Sequence, residues 1–318
     1  MRQTGVALIL VLWVLSLLII MAGSFALSIR RESSITSVIK SKSQASAVAE
    51  SGVTIAKFML LDKNVNKAWR TDGSVYEIIA TDAKIRVRLL AEAGKIDLNK
   101  ADQRSLQNLL INAPIDEDRQ IKLLGAILDW RDADDLVNIN GAEKTEYEEA
   151  GLNYGPRNKP FDSIEELQLV LGMDKKVYAW MEPLVTVYSG QPIVNYKVAS
   201  KEVLKTNPAF DGDMINSYLL ERINSARNNL PSPSLPTIPG LRSASTGNVN
   251  VVTIISEVFL ADSSRASISV VVKKVESSNA NPFQILRWQN AITNNNSLFS
   301  NEMNDFLVKQ YAQPELNN

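Results

Sequence analysis

The sequence predicts an α+β fold in which a long N-terminal helix packs on an antiparallel sheet, and an all-α domain is inserted into that sheet. Three observations lead to this prediction. An apolar segment runs directly into an amphipathic one at the N-terminus. Two groups of strand-like segments lie far apart in the chain, and a mainly helical pattern fills residues 94–188 between them.

The apolar segment at the N-terminus is long enough to cross a membrane. No charged residue occurs between Arg2 and Arg30, and the 24 residues 6–29 would form a helix of roughly 36 Å. The hydrocarbon core of a bilayer is about 30 Å thick. A secretory signal is the alternative, but its apolar region is typically about 7–15 residues long. We therefore predict a retained, single-pass membrane helix.

The amphipathic continuation predicts that the same helix extends into a soluble domain. Residues 30–62 contain no Pro and a single Gly, and apolar or small residues recur every three or four positions. We predict one helix from Val6 to Leu61. The alternative is an anchor, a break and a separate helix, for which Gly23 and Gly52 leave room. The predicted stripe comprises Ile35, Val38, Ile39, Ala45, Val48, Ala49, Val53, Ala56, Met59 and Leu60.

Alternating and β-branched segments predict the strands of the sheet. Two segments follow the long helix and are separated by a turn at Asp82, and three more follow residue 248. Beyond residue 294 the chain is polar, with one short helix predicted around Phe306. The predicted strands are 74–80, 84–90, 249–261, 266–275 and 283–288.

Capping residues indicate the helices of the inserted domain. Asp102 precedes a helical pattern, and its carboxylate can accept hydrogen bonds from the free amides of a first turn. Ser163 and Glu166 have the spacing of a capping box, and Gly172 ends that helix. Further helices of this domain are predicted at 116–130 and 175–184. Beyond the domain, a helix is predicted at 212–226 and an extended, proline-containing loop at 228–248.

The composition excludes most catalytic machinery. The chain contains neither cysteine nor histidine, which excludes disulfides, thiolate nucleophiles, Ser-His-Asp triads and His-ligated metals. The 34 basic and 35 acidic residues favour neither nucleic acid nor a strongly acidic ligand. We predict no enzymatic turnover and no organic cofactor. Any metal should be a hard cation held by oxygen atoms.

An acidic run in the inserted domain suggests a calcium site. It places four carboxylates within seven residues, and these repel one another unless solvent, cations or a metal neutralise them. The run is not an EF-hand, because counting from Asp132 the fifth and sixth positions are Leu136 and Val137. A solvated loop paired with Arg131 and Lys144 is the alternative, which the residues alone favour. The run and its continuation are residues 129–143.

The N-terminal pattern resembles the type IV pilin and type II secretion pseudopilin families, in which a short leader ending in Gly precedes an apolar helix. The resemblance implies cleavage by prepilin peptidase between Gly5 and Val6, with methylation of the new N-terminus. Most members carry Glu at the fifth mature position, where this chain has Leu10. The protein K family of minor pseudopilins lacks that Glu. An unpaired carboxylate in a bilayer is costly, so its absence suits a subunit at the filament tip, with no neighbour above it.

Segments of the inserted domain resemble a helix-hairpin-helix module, which often binds the DNA backbone through a Gly-rich hairpin and nearby lysines. The hairpin at 172–176 has one Gly and acidic surroundings, so we expect no nucleic acid. A membrane-anchored DNA-binding or uptake protein is the rival interpretation. The protein K family has a helical domain of this kind within its pilin-like fold. The matching segments are 96–101, 161–167 and 170–173.

The calcium interpretation is strengthened by the same resemblance. The protein K family carries Trp-x-Asp-x-Asp and Gly-Ala-Glu in the region of the acidic run, as this chain does from Trp130 and from Gly141. The family binds calcium in that region. The ligands that the resemblance implies for Ca²⁺ are Asp132, Asp134, Asp135 and Glu143.

Taken together, the resemblance implies a minor pseudopilin of a type II secretion system that caps the tip of the periplasmic pseudopilus during protein export across the outer membrane. The implied partners are the I and J types of minor pseudopilin, prepilin peptidase and the membrane, with an exported substrate or the outer-membrane channel as further contacts. A tip subunit of a type IV pilus is the alternative.

The resemblance also implies a chain anchored in the inner membrane with its soluble domain in the periplasm. The basic residues after the span would by themselves favour the cytoplasm. The predicted domains are the leader 1–5, the transmembrane segment 6–29, the remaining helix and first strands 30–93, the inserted helical domain 94–188, the remainder of the pilin-like domain 189–293 and the polar tail 294–318.

Overall fold

The computed structural model describes residues 5–62, 64, 67–244, 250–275, 281–290 and 297–309, so leader residues 1–4 and parts of the predicted tail fall outside it. Within the described residues the helices are α1 (Gly5–Leu60), α2 (Gln103–Leu110), α3 (Glu117–Arg131), α4 (Lys144–Glu149), α5 (Lys175–Met181), α6 (Lys201–Thr206), α7 (Gly212–Arg227) and α8 (Asn301–Asn304). The strands are β1 (Asp72–Ile79), β2 (Ala83–Ala91), β3 (Ile96–Asp97), β4 (Val185–Thr186), β5 (Val251–Leu260), β6 (Arg265–Lys274), β7 (Phe283–Asn290) and β8 (Leu307–Val308).

Helix α1 is continuous over 56 residues, as predicted. The alternative of two helices separated by a break is wrong, because neither Gly23 nor Gly52 interrupts it. By length and composition, the stretch Ala7–Leu60 could cross a membrane.

The face of α1 that packs on the sheet begins later than the stripe predicts. The first buried residue of the described helix is Ala45, and Ile35, Val38 and Ile39 are exposed. Ser41 Oγ donates to Asp262 Oδ2 (2.8 Å) in the turn between β5 and β6, which marks the edge of the sheet beneath the helix. The preceding residues of α1 therefore extend beyond the soluble fold.

Small residues let α1 approach the sheet closely. A Cβ atom added to Gly52 would overlap Ser256 Oγ and the side chain of Ile85, two residues of the sheet. Burial of this apolar interface is the main stabilising contribution to the pilin-like part of the molecule. Its core includes Ala49, Val53, Ala56 and Met59 from α1, and Val87, Leu89, Ile254, Val258, Ile268 and Val270 from the sheet.

The large sheet has six strands in the order β7-β6-β5-β2-β1-β8. Within this sheet, β1, β2, β5, β6 and β7 pair antiparallel, as predicted. Strands β3 and β4 pair parallel in a separate two-stranded sheet. Strand β8 was not predicted, and it pairs parallel to β1 with Val75 opposite Leu307. The short helix predicted around Phe306 ends at Asn304 instead. The helical insertion leaves the sheet after β2 and returns at β5, which are neighbouring strands.

The inserted domain has its own core, in which Trp130 stacks against Phe161 with ring centroids 6.0 Å apart. The predicted cap is confirmed at α2, where Asp102 accepts from Ser105 N (2.8 Å). Helix α3 is capped in the same way by Asp116, which was predicted as its first residue and accepts from Arg119 N (3.0 Å). Satisfied amides at the start of each helix fix where it begins.

The predicted capping box at Ser163 and Glu166 is wrong. Residues Ile164–Leu169 form a 3-10 helix, and the Ser163 side chain makes no capping hydrogen bond. Glu166 Oε1 accepts instead from Asp162 N (3.0 Å) and from Arg157 Nη1 (2.8 Å). Arg157 lies outside the four residues, Ser163 to Glu166, by which a capping box is recognised in a sequence.

The core of the helical domain continues past the predicted limit at residue 188. Tyr196, Leu204 and Ile215 pack in the same core as Trp130, whereas Ile223 near the end of α7 packs in the core of the sheet. Helix α6 and the first half of α7 thus belong with the helical domain, and α7 connects the two cores. Residues 189–192, which contain Gly and Pro, suggested a boundary at this point. The boundary lies instead where side chains stop packing in the core of the helical domain.

Candidate metal centre

The acidic run lies where α3 ends and the chain turns back towards α4. Asp129 is fully buried, and its carboxylate accepts hydrogen bonds from Asn138 N (3.1 Å), Asn138 Nδ2 (2.5 Å) and Ala142 N (2.6 Å). Gly141 lies so close to this carboxylate that a side chain there would overlap it. Asp129 therefore closes the loop that follows α3.

Two of the four residues implied by the resemblance turn inwards and two turn outwards. Glu143 is only 5 % exposed and Asp132 is partly buried, whereas Asp134 and Asp135 are exposed. Asp134 Oδ1 accepts from Leu136 N (3.0 Å). Among the described residues, no three acidic side chains lie close enough together to hold a metal ion. The loop does not gather the four carboxylates around one point.

Three side-chain oxygens of this region are buried and have no hydrogen-bond donor among the described residues. They are Asp132 Oδ1, Glu143 Oε1 and Asn158 Oδ1. Buried polar atoms without partners are costly and rare in folded proteins. Carboxylate and amide oxygens are also the ligands that Ca²⁺ prefers. By chemistry, this donor set fits a hard cation.

The pKa values of the two inward-facing carboxyl groups, Glu143 and Asp132, also favour a cation site. Burial, together with the neighbouring Asp129, raises the pKa of Glu143 to about 7. Burial and the nearby Asp134 raise the pKa of Asp132. The contacts that stabilise the two charged forms, among them the hydrogen bond from Asn138 to Asp132, do not outweigh burial and the neighbouring acids. A divalent cation would supply further positive charge.

The two basic side chains that could neutralise a solvated acidic loop, Arg131 and Lys144, contact groups outside that loop. Arg131 Nη1 donates to Leu98 O (2.5 Å) and Nη2 donates to Ala101 O (2.8 Å). Lys144 Nζ lies 3.7 Å from Glu148 Oε1. Within the part of the chain that the structure describes, neither basic residue forms an ion pair with the acids of the loop. This arrangement weakens the alternative of a loop neutralised by its own lysine and arginine.

Asn158 lies in the candidate metal centre, but the sequence did not indicate it as a ligand. Its backbone is left-handed (φ 50°), and its Nδ2 donates to Asp134 O (3.0 Å) and Asp135 Oδ1 (2.7 Å). The residues Gly155 to Asn158 have turn composition, which indicates a loop but no ligand. Only the folded chain brings this segment beside the end of α3.

The comparisons with known proteins find similarity to one family. Residues 83–190 match the family described as type II secretion system (T2SS), protein K. Type II secretion system protein K of Klebsiella pneumoniae is 26 % identical over 213 residues, and that of Aeromonas hydrophila is 26 % identical over 280 residues. The chain is thus similar to type II secretion system protein K, with the match to the family model confined to residues 83–190.

The extent of the protein K matches differs between relatives. The Klebsiella alignment covers 60 % of this chain and 65 % of that relative, and the Aeromonas alignment covers 76 % and 84 %. The segment that matches the protein K family includes β2 and the acidic loop. The region with the candidate ligands is thus part of what defines the family resemblance.

A solved structure of a protein K complex confirms the fold. It is described as the GspK–GspI–GspJ complex from enterotoxigenic Escherichia coli, and the likeness has a TM-score of 0.52 at 16 % identity. It covers 83 % of this chain and 99 % of that one. The pilin-like fold predicted from the N-terminal helix and the strand pattern is confirmed.

Proposed function

We propose that this protein is a minor pseudopilin of the protein K type that caps the tip of the periplasmic pseudopilus and takes part in protein export across the outer membrane. Its work is assembly and contact, without chemical turnover. The observation that carries the proposal is the exposure of α1. Residues 7–40 are exposed throughout, and the first part of this stretch is apolar. Such a helix needs lipid or other helices as its environment.

The proposed position at the tip follows from the first turns of that helix. After cleavage by prepilin peptidase between Gly5 and Val6, Leu10 would be the fifth residue of the mature chain. A leucine there packs against apolar neighbours or lipid and leaves no buried charge to be paired. The chain would be anchored in the inner membrane, with its soluble domain in the periplasm.

The proposed partners are the I and J types of minor pseudopilin, with an exported substrate or the outer-membrane channel as further contacts. The protein K structure that this chain resembles was solved as a GspK–GspI–GspJ complex. Helix α1 would associate with the corresponding helices of these subunits in the membrane and the filament core.

We also propose that the acidic loop binds Ca²⁺. The unpartnered oxygens of Asp132, Glu143 and Asn158 would hold the ion, and the exposed carboxylates of Asp134 and Asp135 are near enough in the chain to contribute. When bound, calcium supplies positive charge to a loop whose own cations point elsewhere. The loop is held closed by the hydrogen bonds that Asn138 and Ala142 donate to the Asp129 carboxylate.

Co-purification tests the proposed assembly. The chain lacking residues 1–29 retains both apolar cores, because the first buried residue of the described chain is Ala45. Mixed with candidate I-type and J-type pseudopilins, it should form a complex on size exclusion, compared with and without calcium. Mass spectrometry of the full-length protein from cells should give a methylated N-terminus at Val6. Absence of the complex, or a mature chain that begins elsewhere, would overturn the proposal.

A further inference from the structure

The loop between α3 and α4 carries three large apolar side chains that face solvent. Leu136 is 76 % exposed, Val137 50 % and Ile139 90 %. Exposed apolar residues that occur singly need no explanation, whereas a group of them on one short segment is typical of an interaction site. We call residues 136–139 the apolar loop.

The apolar loop is held firmly at its base. Asn138, in its middle, donates from both its backbone and its side chain to the buried carboxylate of Asp129. The glycine at position 125 of α3 packs against the backbone of Asn140, immediately after the loop. Because the loop is already ordered, it would lose little conformational entropy when a partner binds.

Negative charge surrounds the apolar loop. Residues 129–149 contain eight acidic and two basic residues, so their net charge is −6. Asp134 and Asp135 directly precede Leu136 and are exposed. One bound calcium ion would reduce the net charge to −4, which is still acidic. A complementary surface would be apolar at its centre with Lys or Arg at its border.

The apolar loop lies away from the contacts that join the helical domain to the sheet. Among the described residues, the hydrogen bonds of residues 132–141 all have partners between Leu128 and Asn158. The two domains are instead joined through Glu92 and through Arg287, which pairs with Glu165. The loop therefore takes no part in the described hydrogen bonds that join the two domains.

We propose that the apolar loop is a docking surface for an exported protein whose matching patch is apolar and bordered by Lys or Arg. The proposal rests on the proposed function, in which an exported protein is one of the contacts of a subunit at the tip of the pseudopilus. Van der Waals contact by Leu136, Val137 and Ile139 supplies affinity, and the flanking aspartates supply orientation and rate of association.

Complementation of a strain that lacks the gene tests this surface in the full-length protein. The loop variant carries Leu136→Ser, Val137→Ser and Ile139→Ser. The matched control carries Ile111→Ser and Leu220→Ser, which alter two apolar side chains that are each 60 % exposed elsewhere. We expect the loop variant to lower exported protein in the medium about tenfold or more. Its co-purification with the I and J types should be unchanged, and the control should match wild type.

A binding measurement then identifies the contact directly. The exported protein that is most reduced in the medium is purified and titrated onto the detergent-solubilised full-length chain. We expect the loop variant to weaken Kd about tenfold or more, and binding by wild type to weaken as NaCl is raised from 50 to 300 mM. Normal export by the loop variant, or equal Kd values, would overturn the proposal.

Two other outcomes would assign the surface differently and also overturn the proposal. Joint loss of export and of I-type and J-type co-purification would make the apolar loop a contact between pseudopilins. Binding of wild type to phosphatidylglycerol vesicles, lost in the loop variant, would make it a lipid contact. Failure of wild type itself to restore export would instead refute the proposed function.

Discussion

The buried carboxylate of Glu92 accepts a hydrogen bond from Thr253 Oγ1 at 2.6 Å and so joins the central strands of the sheet to the helical domain. Its other oxygen accepts from Thr186 Oγ1 in β4. Lys95 Nζ lies 2.6 Å from the same carboxylate and compensates its charge. One acidic side chain thus fixes the two parts of the molecule at the point where the chain passes from one to the other.

Removal of this carboxylate should loosen the junction. We expect Glu92→Ala to lower the free energy of unfolding by about 1–3 kcal/mol, because two buried hydroxyls lose their acceptor. Urea unfolding of the chain lacking residues 1–29 measures this. Glu221, which is exposed on α7, provides the control, and Glu221→Ala should change stability by less than about 0.5 kcal/mol. Equal effects of the two changes would contradict the assigned role of Glu92.

The close approach of α1 to the sheet predicts a steric effect at Gly52. A methyl group there would overlap Ser256 Oγ and Ile85, so Gly52→Ala should destabilise the protein by about 1–3 kcal/mol. Nothing lies within 4 Å of a Cβ at Gly212 in α7. Gly212→Ala should be neutral or stabilise by up to about 1 kcal/mol. Thermal unfolding measures the stability of both variants. A Gly52→Ala variant as stable as wild type would show that the interface between α1 and the sheet is looser than described.

The helix cap at Asp102 predicts a pH-dependent contribution to stability. Hydrogen bonds from the side chain and backbone amide of Ser105 lower the pKa of Asp102. Its contribution is therefore present above the unfolded pKa of about 3.9 and is lost as pH falls through the lower folded pKa. Asp102→Ala should cost about 1 kcal/mol at pH 7, and this difference should shrink below about pH 4.

The neutral cap Asp102→Asn separates charge from hydrogen bonding at this position. Asparagine caps helices about as well as aspartate, so this variant should retain most of the stability at pH 7. Urea unfolding between pH 3 and pH 7 measures both changes. A cost of Asp102→Ala that persists unchanged to pH 3 would show that the ionised cap is not its source.

Calcium binding should depend on the buried carboxylate of Glu143. We expect Glu143→Gln to weaken calcium binding about tenfold or more, because the charge opposite the ion is lost. Isothermal titration of chelator-treated protein with CaCl₂ measures it. Glu149→Gln, at an exposed position on α4, should bind as wild type does. At a calcium concentration 100 times Kd, wild type should gain about 2.7 kcal/mol of stability. No heat and no stabilisation at millimolar calcium would refute the site.

Much of the fold could be predicted because its signals are local. The cap at Asp102 involves an amide three residues away, and the continuity of α1 follows from composition within each turn. The same reasoning was wrong at Ser163, where Arg157 and Asp162 compete for Glu166. It also missed β8, a two-residue strand whose pairing to β1 depends on the path of the whole chain.

The sequence by itself determined the uninterrupted helix α1, the antiparallel strands and the acidic run, because apolar periodicity and the spacing of charges act between near neighbours. Only the tertiary structure decided where α1 becomes buried, at Ala45 rather than Ile35, because burial requires a sheet beneath the helix. Only it placed Asn158 beside Glu143 and turned Arg131 towards Leu98. Those contacts join segments distant in sequence, whose proximity is set by packing of the complete core.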